Sequence, residues 1–168
     1  MNAVKKGLRA IDTVFEIVTL TCLLGVVFVV LYQIFGREVL DSTPAWSEEL
    51  SRILLIWIGM LCAALGFREG AHIAITFVVD RFPKLLRRAV DYGVLALVLL
   101  FGLYLLVDGI QLTDEASVAT LPGTGLPRSA LYAALPFSGA MICLYTVQQF
   151  FGIDTRRYAR DVDAADYE

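Results

Sequence analysis

The sequence predicts an all-α integral membrane protein with four transmembrane helices, and three observations carry that expectation. The 168 residues are 58% hydrophobic and only 18% charged, whereas soluble domains run nearer half apolar and about a quarter charged. The charges are clustered, leaving four runs free of Asp, Glu, Lys, Arg and His at 17–36, 53–67, 92–107 and 129–153. Crossing ~30 Å of hydrocarbon takes about 20 mostly apolar helical residues. The first and fourth runs reach that length outright. The second and third reach it with their flanking turns, where long charged side chains snorkel to the interface.

The first span is expected at about 13–35. Lys5, Lys6 and Arg9 precede it in the manner of a secretory signal, but the run is long, opens on Asp12 and Glu16 and has no small-residue cleavage site, so it reads as retained. Gly36 and residues 41–44 interrupt it. Thr43-Pro44 then resembles a helix start, with a capping hydroxyl followed by proline in the first turn. Glu48 and Glu49 close behind suit the positive end of the helix dipole. This second span is expected at about 46–67. Residues 72–82 are apolar but too short to cross. Ile75, Val78, Val79 and Phe82 fit a short amphipathic interfacial helix, while the alternation of Ile73, Ile75, Phe77 and Val79 fits an extended segment equally. Pro83 opens the third span, at about 85–107. Residues 111–128, with Pro122, Gly123, Gly125 and Pro127, have loop composition with room for one short helix. The fourth span, about 129–151, holds Pro136 and should kink there. A polar tail occupies 154–168, and the whole reads as a single membrane domain.

Lys and Arg alternate from side to side. The N-terminal segment, the connection between spans two and three, and the tail together carry 11, against 3 for the other side. Basic short loops stay in the cytoplasm, so both termini are expected there. The opposite face is acidic, with Glu38, Asp41, Glu48, Glu49, Asp108, Asp114 and Glu115. A net charge of −3 gives no sign of nucleic-acid binding. Cys22, Cys62 and Cys143 all fall within spans and read as small core residues. Phosphate loops, nucleophile elbows, haem-attachment motifs and metal-ligand spacings are missing from the sequence, so it gives no reason to expect an enzyme.

The densest feature is W-S-E-E-L-S-R at 46–52. On a helix, Glu48 and Glu49 both lie within reach of Arg52. The cluster reads as an ion pair that eases an arginine into the membrane boundary or as a partner-docking site. A proton relay fits poorly, because an arginine-neutralised carboxylate does not titrate near neutral pH. Trp46 suits an interfacial anchor and Trp57 lies deeper. Gly59, Ala63, Gly66 and Gly70 share a face with Arg52 and Ile56, and such small-residue rows let a second helix approach closely inside lipid. Arg68 and His72 lie at the far end of this span, where an interfacial hydrogen-bonding role suits the lone histidine.

The run 46–52, followed by Trp57, Ala63-Ala64, Arg68 and His72-Ile73, resembles the signature of the small membrane subunit (DctQ-like, or Q subunit) of tripartite ATP-independent periplasmic (TRAP) transporters. Gly125-Leu126-Pro127 and residues 132–136 are similar to that family's approach to its last helix. The sequence departs from the pattern around Arg128 to Ala130 and at Ser138. The resemblance implies a non-catalytic subunit of the bacterial inner membrane. It would scaffold a large, many-span subunit and help dock a periplasmic solute-binding protein, for sodium-driven uptake of a carboxylate-bearing solute. Trp46, Glu48, Glu49 and Arg52 would lie near the outer face, and Arg68 and His72 near the inner one. No cofactor is expected on this chain, and sodium is expected in the large subunit; the remaining partner is membrane lipid. The alternative is a self-assembling small channel or exporter, which the Gly59–Gly70 stripe and the charged cluster would also suit.

Overall fold

A computed structural model describes residues 2–69 and 84–151. Gly70, His72, the 72–82 segment and the 154–168 tail lie outside the described residues. Among the described residues there are five helices: α1 (Asn2–Leu40), α2 (Ala45–Glu69), α3 (Lys84–Glu115), α4 (Ser129–Tyr132) and α5 (Ala134–Phe150), with a 3-10 turn at Ala116–Val118. No strand occurs among the described residues, only an isolated bridge between Thr120 and Pro127. Among the described residues, four helical stretches, Ala10–Val39, Ala45–Glu69, Tyr92–Val118 and Ser129–Phe150, are long and apolar enough to cross a membrane. Their outward faces carry bulky apolar side chains: Leu24, Phe28, Leu97, Leu100 and Tyr104 are all at least three-fifths exposed. In water such a surface would be prohibitive, and in lipid it is the solvated surface. The chain is a multi-pass membrane protein.

The helices run past the apolar runs. α1 ends at a turn where Asp41 adopts φ 48°, a left-handed conformation that aspartate tolerates better than most side chains, and the Ser42 N–H donates to the Gly36 carbonyl. At the start of α2 the hydroxyl bonded to the backbone belongs to Ser47, which donates to the Pro44 carbonyl at 2.7 Å, rather than to Thr43. The fourth span is interrupted at Ala133, between α4 and α5. The cause is Pro136, which has no N–H for the Tyr132 carbonyl and whose ring crowds that same carbonyl.

The chain divides into two compact units. The first comprises Met1–Cys62 and Leu112–Ala134, with Phe15, Val26, Val29, Ile53 and Leu121 buried in it. Here α1 lies against α2, with Leu54 packed on Gly25 and the Gln33 amide donating to the Ser51 hydroxyl at 3.2 Å. The second comprises Ala63–Gln111 and Leu135–Glu168. In it α3 and α5 meet at glycines. A Cβ on Gly139 would lie 2.7 Å from the Leu106 nitrogen and 2.8 Å from the Gly102 carbonyl oxygen. A Cβ on Gly109 would lie 2.8 Å from the ring of Pro136. Gly102 and Gly109 are two helical turns apart, so they line one seam, and inside lipid such close backbone approach is a main source of helix attraction. The Gln149 amide donates to the Phe67 carbonyl at 3.0 Å, and Tyr145 and Ile142 are wholly buried.

Candidate functional site

The first half of α2 presents three faces, each with a different task. Ser47, Ser51 and Leu54 face α1. Ser47 and Ser51 are buried, and Ser51 both accepts from Gln33 and donates to the Glu48 carbonyl, so the polar atoms on this face are paired. Glu49, Ile53 and Trp57 recur at steps of four on the second face, where Glu49 holds the connection between α3 and α4 and Trp57 bonds to α4 itself. The third face is open.

On the second face the Glu49 carboxylate accepts three hydrogen bonds. The Gly123 N–H donates at 2.9 Å, the Thr124 N–H at 2.8 Å and the Thr124 hydroxyl at 2.9 Å. A carboxylate accepting backbone N–H groups is a charge-assisted arrangement, stronger than bonds between neutral partners. Gly123 is required here, since a Cβ would lie 2.8 Å from the Ala45 carbonyl. Two turns further along, the Trp57 indole donates to the Ala130 carbonyl at 2.8 Å. Between them, Ile53 is 7% exposed. Glu49→Gln keeps the shape but loses the anion, so hydrogen exchange at the Gly123 and Thr124 amides should accelerate at least about tenfold; protection unchanged from wild type would show that other contacts hold the loop.

The structure therefore separates the two glutamates that the sequence placed within reach of Arg52. Glu48 pairs with Arg52 at 3.0 Å on the exposed side, while Glu49 turns to the loop. The sequence reading missed that second role. Its only signal is a Gly-Thr-Gly segment whose backbone N–H groups need an acceptor. Trp46 stacks on Tyr32 with ring centroids 5.6 Å apart.

The third face runs from Glu48 and Arg52 through Ile56 and Gly59 to Ala63, all exposed. A Cβ at Gly59 would meet nothing within 4 Å. Gly66, further along the row, is half-buried. Arg68 is buried, and its guanidinium donates to one Glu69 carboxylate oxygen from both Nε (3.0 Å) and Nη2 (2.7 Å). No group of three His, Cys, Asp or Glu side chains suited to a metal occurs among the described residues. Among the described residues the arrangement offers surfaces and braces.

Comparison with known proteins agrees with a subunit of this kind. The family model described as the DctQ component of tripartite ATP-independent periplasmic transporters matches residues 26–156. The chain is 25% identical over 145 residues to the sialic acid TRAP transporter small permease protein SiaQ of Vibrio cholerae, covering 86% of this chain and 84% of that protein. It is 30% identical over 115 residues to the C4-dicarboxylate TRAP transporter small permease protein DctQ of Rhodobacter capsulatus, covering 64% and 48%. It is also 27% identical over 128 residues to the sialic acid TRAP transporter permease protein SiaT of Haemophilus influenzae, where 76% of this chain matches 21% of a much longer one.

Proposed function

The chain belongs to the DctQ component family of TRAP transporters, as a small permease subunit, and on that premise we propose that it is a non-catalytic brace for a large, many-span permease subunit. The observation carrying this reading is the open face of α2. Much of the outward surface bears bulky side chains suited to lipid, such as Leu24, Phe28 and Leu97, whereas this face narrows to Gly59 and Ala63 beneath an exposed ion pair. Inside a bilayer small residues favour a neighbouring helix over lipid. The Haemophilus relative, in which a similar sequence is about a fifth of a longer permease chain, supports a large membrane partner. The brace also helps dock a soluble solute-binding protein on the periplasmic side. The large subunit, which holds the sodium and solute sites, then drives uptake of a carboxylate-bearing solute, the class for which the relatives named for sialic acid and C4-dicarboxylate supply the precedent. The distribution of Lys and Arg supports cytoplasmic termini in a bacterial inner membrane.

Co-expression with the large subunit and purification through a tag on this chain tests the proposal. A stoichiometric heteromer is the expected result. A homo-oligomer that conducts ions or exports solute by itself would replace it with the channel reading, which the same open face would serve. Arg52→Ala strips Glu48 of its partner at the head of that face, so recovery of the large subunit or solute uptake should fall several-fold. If both stay at wild-type levels, the pair serves only to bring α2 into the membrane.

A further inference from the structure

We infer that Tyr92, Phe150 and Phe151, together with the basic first turns of α3, form a site for an anionic phospholipid of the cytoplasmic leaflet; the leaflet, though not the site, rests on the orientation proposed above. The three rings come from two spans. Tyr92 opens one candidate span and Phe150 closes another, and their rings meet edge to face with centroids 6.2 Å apart. Phe150 meets Phe151 in the same manner at 5.9 Å. The contact puts both span ends at one level, at the boundary where the apolar runs stop. All three rings are open to their surroundings, Tyr92 at 60%, Phe150 at 65% and Phe151 at 73% exposed. They pack on one another and leave a broad apolar face uncovered.

The charge beside that face selects its occupant. Lys84, Arg87 and Arg88 fall in the first two turns of α3, against one acidic residue, Asp91, before the span opens. By helical register Lys84 and Arg88 share the Tyr92 face, at steps of four. At about 1.5 Å per residue, Arg88 lies about 6 Å beyond Tyr92 along the axis and Lys84 about 12 Å. The head-group layer is about 5–8 Å deep on each side of the hydrocarbon, so the Arg88 position falls within it and Lys84 just outside. Apolar rings at the boundary with cations one turn further out match a lipid whose tails are apolar and whose phosphate is negative. A neutral lipid would leave those cations without a counter-charge, whereas an anionic one gains roughly fivefold in affinity per Lys or Arg. A partner helix is a poorer occupant, because three bulky rings hold a second backbone away, while an acyl chain moulds around them.

Native mass spectrometry of the purified full chain, titrated with phosphatidylglycerol or with phosphatidylcholine of the same acyl chains, tests the site. Phosphatidylglycerol should be retained at least about tenfold more tightly. Lys84→Gln with Arg88→Gln should cut that preference at least about fivefold while binding of phosphatidylcholine stays unchanged. Phe150→Ala with Phe151→Ala should instead weaken both lipids several-fold. Inorganic phosphate should not displace the lipid, since the rings have no hold on it; displacement would make this a site for a free anion and overturn the assignment. Equal retention of the two lipids by the wild type, or a preference unchanged by the paired Gln substitutions, overturns it as well. The preference should persist in the assembled two-subunit complex, and its loss there assigns the face to the large subunit and defeats the proposal. A reporter that fluoresces only in the cytoplasm, fused to the C-terminus, checks the leaflet separately. A dark fusion at full expression would overturn the orientation and move the site to the other leaflet.

Discussion

Gly139→Leu should leave almost no folded protein in detergent, and Gly139→Ala should lower its melting temperature by roughly 5 °C or more, taking an overpacking cost of about 1–3 kcal/mol. The atoms a new Cβ would meet are main-chain atoms of α3, at 2.7–2.8 Å, so no rotamer change in a neighbour relieves the contact and the helices must separate. Separation would also draw Gly109 away from Pro136 and Ile142 away from its packing, which is why the larger residue should be far worse than alanine. Thermal unfolding of the purified chain, followed by size-exclusion elution, measures the effect. Gly59→Ala is the control, because nothing lies within 4 Å of the added carbon. Leucine at 139 with wild-type melting would mean that α3 and α5 do not touch at this seam.

The second large effect should separate stability from assembly. The double substitution Gly59→Leu with Ala63→Leu adds two bulky side chains to the open face of α2. Lipid accommodates leucine as readily as glycine, so the chain alone should melt as the wild type does. A helix of the large subunit seated closely on that face would be pushed out, and recovery of that subunit should fall at least about tenfold. Undiminished recovery would move the interface to another helix.

These two sets of small residues show what periodicity can reveal. A row at steps of four, three and four marks a face that another helix can approach, but not whose helix it is. The Gly59 row is conspicuous in the sequence and stands open, while the contact that joins two helices of this chain lies at Gly102, Gly109 and Gly139, where no single run displays it. The spans were legible because charge is expensive in hydrocarbon. The helices run beyond the expected spans: α1 begins at Asn2 and α3 continues past Asp108 to Glu115, because helical hydrogen bonding does not stop at the membrane boundary. Pro136 announced an irregularity, and its physical effect falls one turn earlier, at the carbonyl it cannot serve. Among the candidate residues, the Glu48–Arg52 pair follows from helical spacing. Glu49 does not, since its partners lie 74 and 75 positions away.

That separation sets an order of events during synthesis. At about 5–20 residues per second, the ribosome needs roughly 4–15 seconds after making Glu49 to deliver Thr124. During that interval Arg52, only three residues away, is the counter-charge at hand. The fastening of the loop is therefore a late event, and it can form only once the chain has been threaded far enough to bring residue 124 back to the head of α2.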